Sequence, residues 1–141
     1  MRQAQKAASE RGKAVYRIAV LADQDEARKG YAEQIARFCQ TKGLFPQIEG
    51  CSNQEQFFEN VQKTAPTNAV IALPGLNAVE HLRSVCPACA IIWCSDLDFS
   101  LQAFRLRVEY FILEPVSAES FQQGLNVWFA NKEFYASDPI K

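Results

Sequence analysis

Short runs of consecutive apolar residues recur along this chain. Each is followed by a longer stretch whose apolar residues fall at helical spacing, and the alternation repeats five times. "YRIAVLAD" is the first run, and "DEARKGYAEQIARFCQTKG" follows it with Ala27, Tyr31, Ile35, Phe38 and Cys39 on one face and Gly43 placed to end the helix. "FPQIEGC" reads as a short second strand. "SNQEQFFENVQKT" opens on a Ser/Asn cap and puts Phe57, Phe58 and Val61 on one side. "NAVIALPG" is apolar throughout and stops at Pro-Gly. "LNAVEHLRSVC" is helical, with Leu76, Val79, Leu82 and Val85 or Cys86 on its face, and Pro87 stops it. "ACAIIWCS" and "VEYFILEP" are strands on either side of a helix, "LDFSLQAFRLR". The last helix, "SAESFQQGLNVWFANKEF", has capping serines at Ser117 and Ser120 and carries Phe121, Leu125 and Trp128. Strands that are apolar at every position are buried on both faces, which requires helices above and below. Right-handed crossovers then make an α/β, doubly wound, five-stranded parallel sheet with five helices, whose sites lie at the carboxyl ends of the strands.

A chain of 141 residues with 48% hydrophobic and 22% charged residues is enough for one such domain. Residues 1–14 are polar and aperiodic and read as a flexible leader, 15–133 as the domain, and 134–141 as a tail or the start of a linker to an output domain. A net charge of −1 with one histidine leaves no footprint for nucleic acid or for an anionic membrane. No apolar run reaches the roughly 18 residues of a membrane span, and the N-terminus lacks the apolar core of a signal peptide. Five cysteines, an odd number scattered through core patterning, imply no disulfide framework. The expectation is a cytoplasmic protein with reduced thiols.

"VCPACAIIWCS" holds three of those cysteines, including the C-x-x-C pair Cys86 and Cys89. A redox pair of the thioredoxin kind follows a strand and opens a helix, where the helix dipole lowers a thiol pKa. Here Cys86 ends a helix and Cys89 enters a strand, so the two are expected to be core. A zinc site needs two further ligands, and Cys39, Cys51, Cys94 and His81 lie on separate elements. His81, between Glu80 and Arg83 on its helix, is expected at the surface. Neither G-x-S-x-G nor a glycine-rich phosphate loop is present, so no enzyme chemistry is indicated.

The residues just past the strands are Ala22-Asp23-Gln24-Asp25-Glu26, Leu73-Pro74-Gly75, Ser95-Asp96 and Glu114-Pro115. Together with "PGLNAVEHLR" and "SLQAFRLRVEYFILEPVSAESFQQGL", they make residues 16–130 resemble the receiver domain of two-component response regulators, most closely the receivers of LytTR-type regulators. The resemblance implies a flavodoxin- or CheY-like strand order, 2-1-3-4-5. It also implies five chemical positions. They are an aspartate ending the third strand that accepts phosphate, two acids after the first strand that help hold Mg²⁺, a Ser/Thr after the fourth strand, and a lysine before the proline after the fifth.

This chain departs from that pattern where the chemistry lies. Of the acidic pair only Asp23 matches, since Ala22 stands in the other place. The third strand and its turn carry no carboxylate from Val70 to Val79, and the segment holding the acceptor is expected to be missing. Ser95 matches the Ser/Thr, and Glu114 replaces the lysine. Asp23, Ser95 and Glu114 are thus a degenerate phosphate pocket, with no cofactor expected and Mg²⁺ the one candidate cation. The switch aromatic of the family corresponds to Phe111.

What remains is the surface of the fourth helix, fifth strand and fifth helix, through which family members meet partners and form dimers. Here it carries Arg105, Arg107, Glu109, Glu119, Lys132 and Glu133. The expected function is a phosphorylation-independent pseudo-receiver acting as a regulatory interaction or dimerisation module, with no direct nucleic-acid binding. The alternatives are phosphorylation on an unorthodox aspartate (Asp96, Asp98 or Asp23) and a redox or metal protein built on Cys86 and Cys89.

Overall fold

A computed structural model describes residues 16–137; the expected leader, 1–14, lies outside them. In chain order the elements are β1 (Arg17–Ala22), α1 (Asp25–Thr41), β2 (Gln47–Cys51), α2 (Gln54–Lys63), β3 (Asn68–Ala72), α3 (Asn77–Val85), β4 (Ala90–Ser95), α4 (Ser100–Arg105), β5 (Tyr110–Leu113) and α5 (Ala118–Ser137). The five strands are all parallel in the order β2-β1-β3-β4-β5, as the resemblance implies.

Two apolar layers sandwich the sheet. Val20, Ala22, Val70, Ala72, Ile92, Cys94 and Ile112 point to one side, against Tyr31 and Ile35 of α1 and Phe121 and Leu125 of α5. Leu21, Ala69, Ile71, Ile91 and Trp93 point to the other, against Phe57, Val79, Leu82 and Ala103 of α2, α3 and α4. Successive residues of a strand face opposite sides, so burial on both requires the unalternating apolar runs seen in the sequence.

The helix ends follow local chemistry. Asn53 Oδ1 accepts the Gln56 N–H at 2.9 Å and starts α2, and Ser117 Oγ accepts the Ser120 N–H at 3.0 Å before α5. Gly43, at φ +71°, ends α1, with Leu44 N–H returning to Cys39 O at 2.8 Å.

Tertiary packing changed several local expectations. The fourth helix is confined to Ser100–Arg105, and the last runs through Ser137 into the stretch expected as tail. On α3 the inward choice is Cys86, 8% exposed, while Val85 is 51% exposed. Phe58 is half-buried and stacks on His81 at 4.0 Å between ring centres, giving that exposed histidine an aromatic neighbour on α2.

Candidate functional site at the carboxyl ends of the strands

Where β1, β3, β4 and β5 end, a cavity of about 190 Å³ opens, lined by residues that include Ala22, Asp23, Tyr31, Ala72, Ser95, Asp96 and Glu114. The three residues singled out in the sequence, Asp23, Ser95 and Glu114, are therefore brought together. Ser95 is buried, and its Oγ accepts the Leu97 N–H at 3.2 Å. Its carbonyl accepts the Glu114 N–H at 2.7 Å, which ties the end of β5 to that of β4. The Glu114–Pro115 peptide is cis.

β3 runs to Ala72, which pairs with Ala22 of β1 and lines the cavity with a methyl group. The link to α3 is only Leu73, Pro74, Gly75 and Leu76, with Gly75 at φ +82°.

The electrostatics of the cavity are acidic. Glu114 has its pKa raised, first by burial, then by the negative charges of Asp96 and Asp23. Tyr31, missed by sequence reasoning because it also belongs to the apolar face of α1, lines the cavity. Its pKa is raised by burial and then by Cys94 and Glu114. The residues do not fit a receiver's Mg²⁺: Ala22 and Ala72 offer methyl groups where carboxylates would be needed, leaving Asp23 with no acidic neighbour on β1 or β3. Among the described residues, no three His, Cys, Asp or Glu side chains are placed to hold a metal ion. A wider groove, about 440 Å³, lies between α2 and the β1–β2 edge, remote from these loops.

The candidate acceptors separate. Asp23 and Asp96 face the cavity, whereas Asp98 lies outside its lining and accepts the Ser100 N–H at 3.0 Å, its pKa lowered first by the Ser100 side chain and then by that backbone bond. The C-x-x-C pair is at the other end of the sheet. Cys86 and Cys89 are free and buried, and burial pushes the Cys89 thiol pKa up.

Phe111 pairs with Trp93 on the sheet, two residues before Ser95 meets Leu113. Its ring meets Trp93 edge-on at 5.3 Å, and Trp93 stacks on Phe99 at 5.2 Å, so the aromatic is wedged in a cluster beneath α4. On the neighbouring surface Arg105, Arg107 and Glu119 are exposed. Glu109 is exposed as well, and its Oε1 accepts the Ile91 N–H at 2.6 Å and lies 3.6 Å from Arg83 Nη2. Lys132 and Glu133 lie outside the residues whose side chains are described. The apolar part of this surface was missed. Phe104 is 80% exposed, Leu101 56% and Leu113 51%. Leu101 and Phe104 are three apart and share a helix face, but spacing alone does not tell which stripe of so short a helix turns inward; Ala103 does.

No family model matches this chain, and no curated protein matches it. Solved structures do. The isolated receiver domain of RcsB from Salmonella enterica serovar Typhimurium, in the presence of phosphomimetic BeF₃⁻, superposes with a TM-score of 0.64 at 12% identity over 78% of this chain and 85% of that one. A two-component response regulator of the LuxR family from Aurantimonas gives 0.65 at 18% identity, over 84% and 87%. The N-terminal domain of an uncharacterized protein from Wolinella succinogenes gives 0.65 at 17% identity, over 83% and 95%. The fold is that of a response-regulator receiver domain. At these identities the likeness establishes the receiver fold and leaves chemistry to the site. The narrower likeness to LytTR-type receivers stays an expectation. Among the described residues, no helix is long and apolar enough to cross a membrane.

Proposed function

We propose that this receiver-fold domain works without phosphorylation, as an interaction or dimerisation module in signal transduction. The observation that carries the reading is the composition of the cavity: Ala72 at the end of β3, Ala22 beside it and Glu114 before the proline. Without a carboxylate at the end of β3 there is no nucleophile to form an acyl phosphate there. A carboxylate about 4 Å from a phosphoryl group, at an effective dielectric near 20, is opposed by about 4 kcal/mol per unit charge, where a lysine would be favoured by a similar amount. With no chemistry of its own, such a domain acts by contact. The exposed Leu101, Phe104 and Leu113, flanked by Arg105 and Arg107, support the face of α4, β5 and α5 as the surface used, by a second copy or another protein.

The test is beryllofluoride with Mg²⁺, followed by amide NMR shifts and melting temperature, with EDTA as the control. The expected result is no change at Ser95 or Phe111. A saturable, EDTA-sensitive response would refute phosphorylation independence. Acetyl phosphate labelling addresses the second reading, which Asp23 and Asp96 keep open by facing the same cavity as Ser95. For the face, Phe104→Asp should abolish any self-association seen by sedimentation while leaving the melting temperature nearly unchanged.

A further inference from the structure

One guanidinium gathers groups from both turns at the amino end of the sheet. Arg83, near the end of α3, donates from Nε to Leu106 O at 2.8 Å and from Nη2 to Arg107 O at 3.0 Å. From Nη1 it donates to Pro87 O at 2.8 Å and Cys89 O at 2.7 Å. Glu109, also bonded to β4 through the Ile91 N–H, completes the set at 3.6 Å. Only 10% of the Arg83 side chain is exposed. Four carbonyls and a carboxylate thus converge on five N–H donors held in one plane, a match that a lysine ammonium on its flexible stem cannot reproduce.

The segment so held is otherwise tied by backbone bonds, Val108 N–H to Ala103 O at 2.9 Å and Glu109 N–H to Ile91 O at 3.1 Å, and by partly buried Phe99, Leu106 and Val108. Ser100–Arg105 is a short helix, and Ala103 is its one buried residue while Leu101 and Phe104 face solvent. The turn behind it places Arg107 at φ +55°, a left-handed conformation that a non-glycine side chain adopts at a cost. Arg83 binds the carbonyls of Leu106 and Arg107 at that strained turn.

We infer that Arg83 is a clasp: by joining the α3–β4 turn to the α4–β5 turn, it sets the position of α4 from the end of the sheet opposite the acidic cavity. The Leu101–Phe104 surface is then presented in one arrangement whatever occupies the cavity. Arg83 is a positioning residue, and its effect on partners rests on the reading of that surface as an interaction face.

Amide hydrogen exchange on the full chain tests it, comparing the native protein with Arg83→Lys and Arg83→Ala. In Arg83→Lys, protection at Leu106 and Val108 is expected to fall about tenfold or more while Val70 and Ile71 of β3 change less than about twofold. An equal fall in both groups would reduce Arg83 to a contributor to global stability, and no fall at Leu106 and Val108 would remove the clasp altogether. Should Arg83→Ala fail to fold, the lysine variant decides alone. Self-association of Arg83→Lys is measured in parallel: selective loss of protection with unchanged association upholds the clasp and counts against the interaction face, so the two can fail separately.

Discussion

Two glycines in helix interiors make a controlled pair. Gly30 lies in α1 and Gly124 in α5, and neither has a positive φ. Replacing either by alanine removes the glycine penalty of a helix interior, about 1 kcal/mol in favour of folding. Their surroundings differ. A Cβ at position 30 meets nothing within 4 Å, whereas at 124 it meets Ile92 Cδ1 at 3.0 Å and Tyr110 Cδ2 at 3.1 Å. Neither neighbour moves freely, since Ile92 is fully buried and the Tyr110 hydroxyl donates to Gln123 Oε1 at 2.9 Å. An added methyl in such a place costs about 1–3 kcal/mol. Gly30→Ala should therefore stabilise by up to about 1 kcal/mol and Gly124→Ala should destabilise by up to about 2 kcal/mol. In melting temperature the separation is on the order of 3–5 °C per kcal/mol for a domain of this size. Urea unfolding read by tryptophan fluorescence measures both, and an unchanged m-value shows that stability rather than the surface exposed on unfolding has changed. If Gly124→Ala were stabilised as much as Gly30→Ala, the close approach of α5 to β4 and β5 would not be the reason for the glycine.

Glu114→Gln should make stability less dependent on pH. The folded-state pKa of Glu114 is raised, so its charge opposes folding; this loss is absent below the unfolded value and appears as pH rises through the folded one. The variant should thus match the native protein in acid and exceed it in stability at neutral pH; a lower neutral stability would mean that the carboxylate has a favourable partner. Installing Ala22→Asp, Ala72→Asp and Glu114→Lys together should create an EDTA-sensitive response to beryllofluoride, and no response from a folded triple variant would contradict the placement of Ala72 at the acceptor position. Thiol titration of the native protein with a disulfide reagent should be slow until denaturant is added, because burial raises Cys39 to about 11 and Cys94 to about 12, with Cys89 shifted the same way. Rapid reaction of one or two thiols at neutral pH would revive the redox reading of Cys86 and Cys89.

Much of this molecule is written locally. The unbroken apolar runs require strands covered on both faces, and Asn53, Gly43 and Ser117 mark helix ends through bonds made within a few residues. Asp23, Ser95 and Glu114 could be placed together because the strands are parallel and their carboxyl ends must share one edge of the sheet. What sequence alone could not determine lies in contacts between distant segments. The rung joining Ala22 to Ala72 sets two methyl groups side by side at the cavity. The bonds of Arg83 to Leu106 and of Glu109 to Ile91 span 23 and 18 residues, and they give an exposed surface charge a tie to a distant strand. Which stripe of α4 faces inward shows only in the folded chain, where Ala103 is buried while Leu101 and Phe104 face solvent. Periodicity and capping act over one or two turns of chain and are legible wherever they occur; register, charge pairing and close packing depend on which segments fold against each other, and only the tertiary structure decides that.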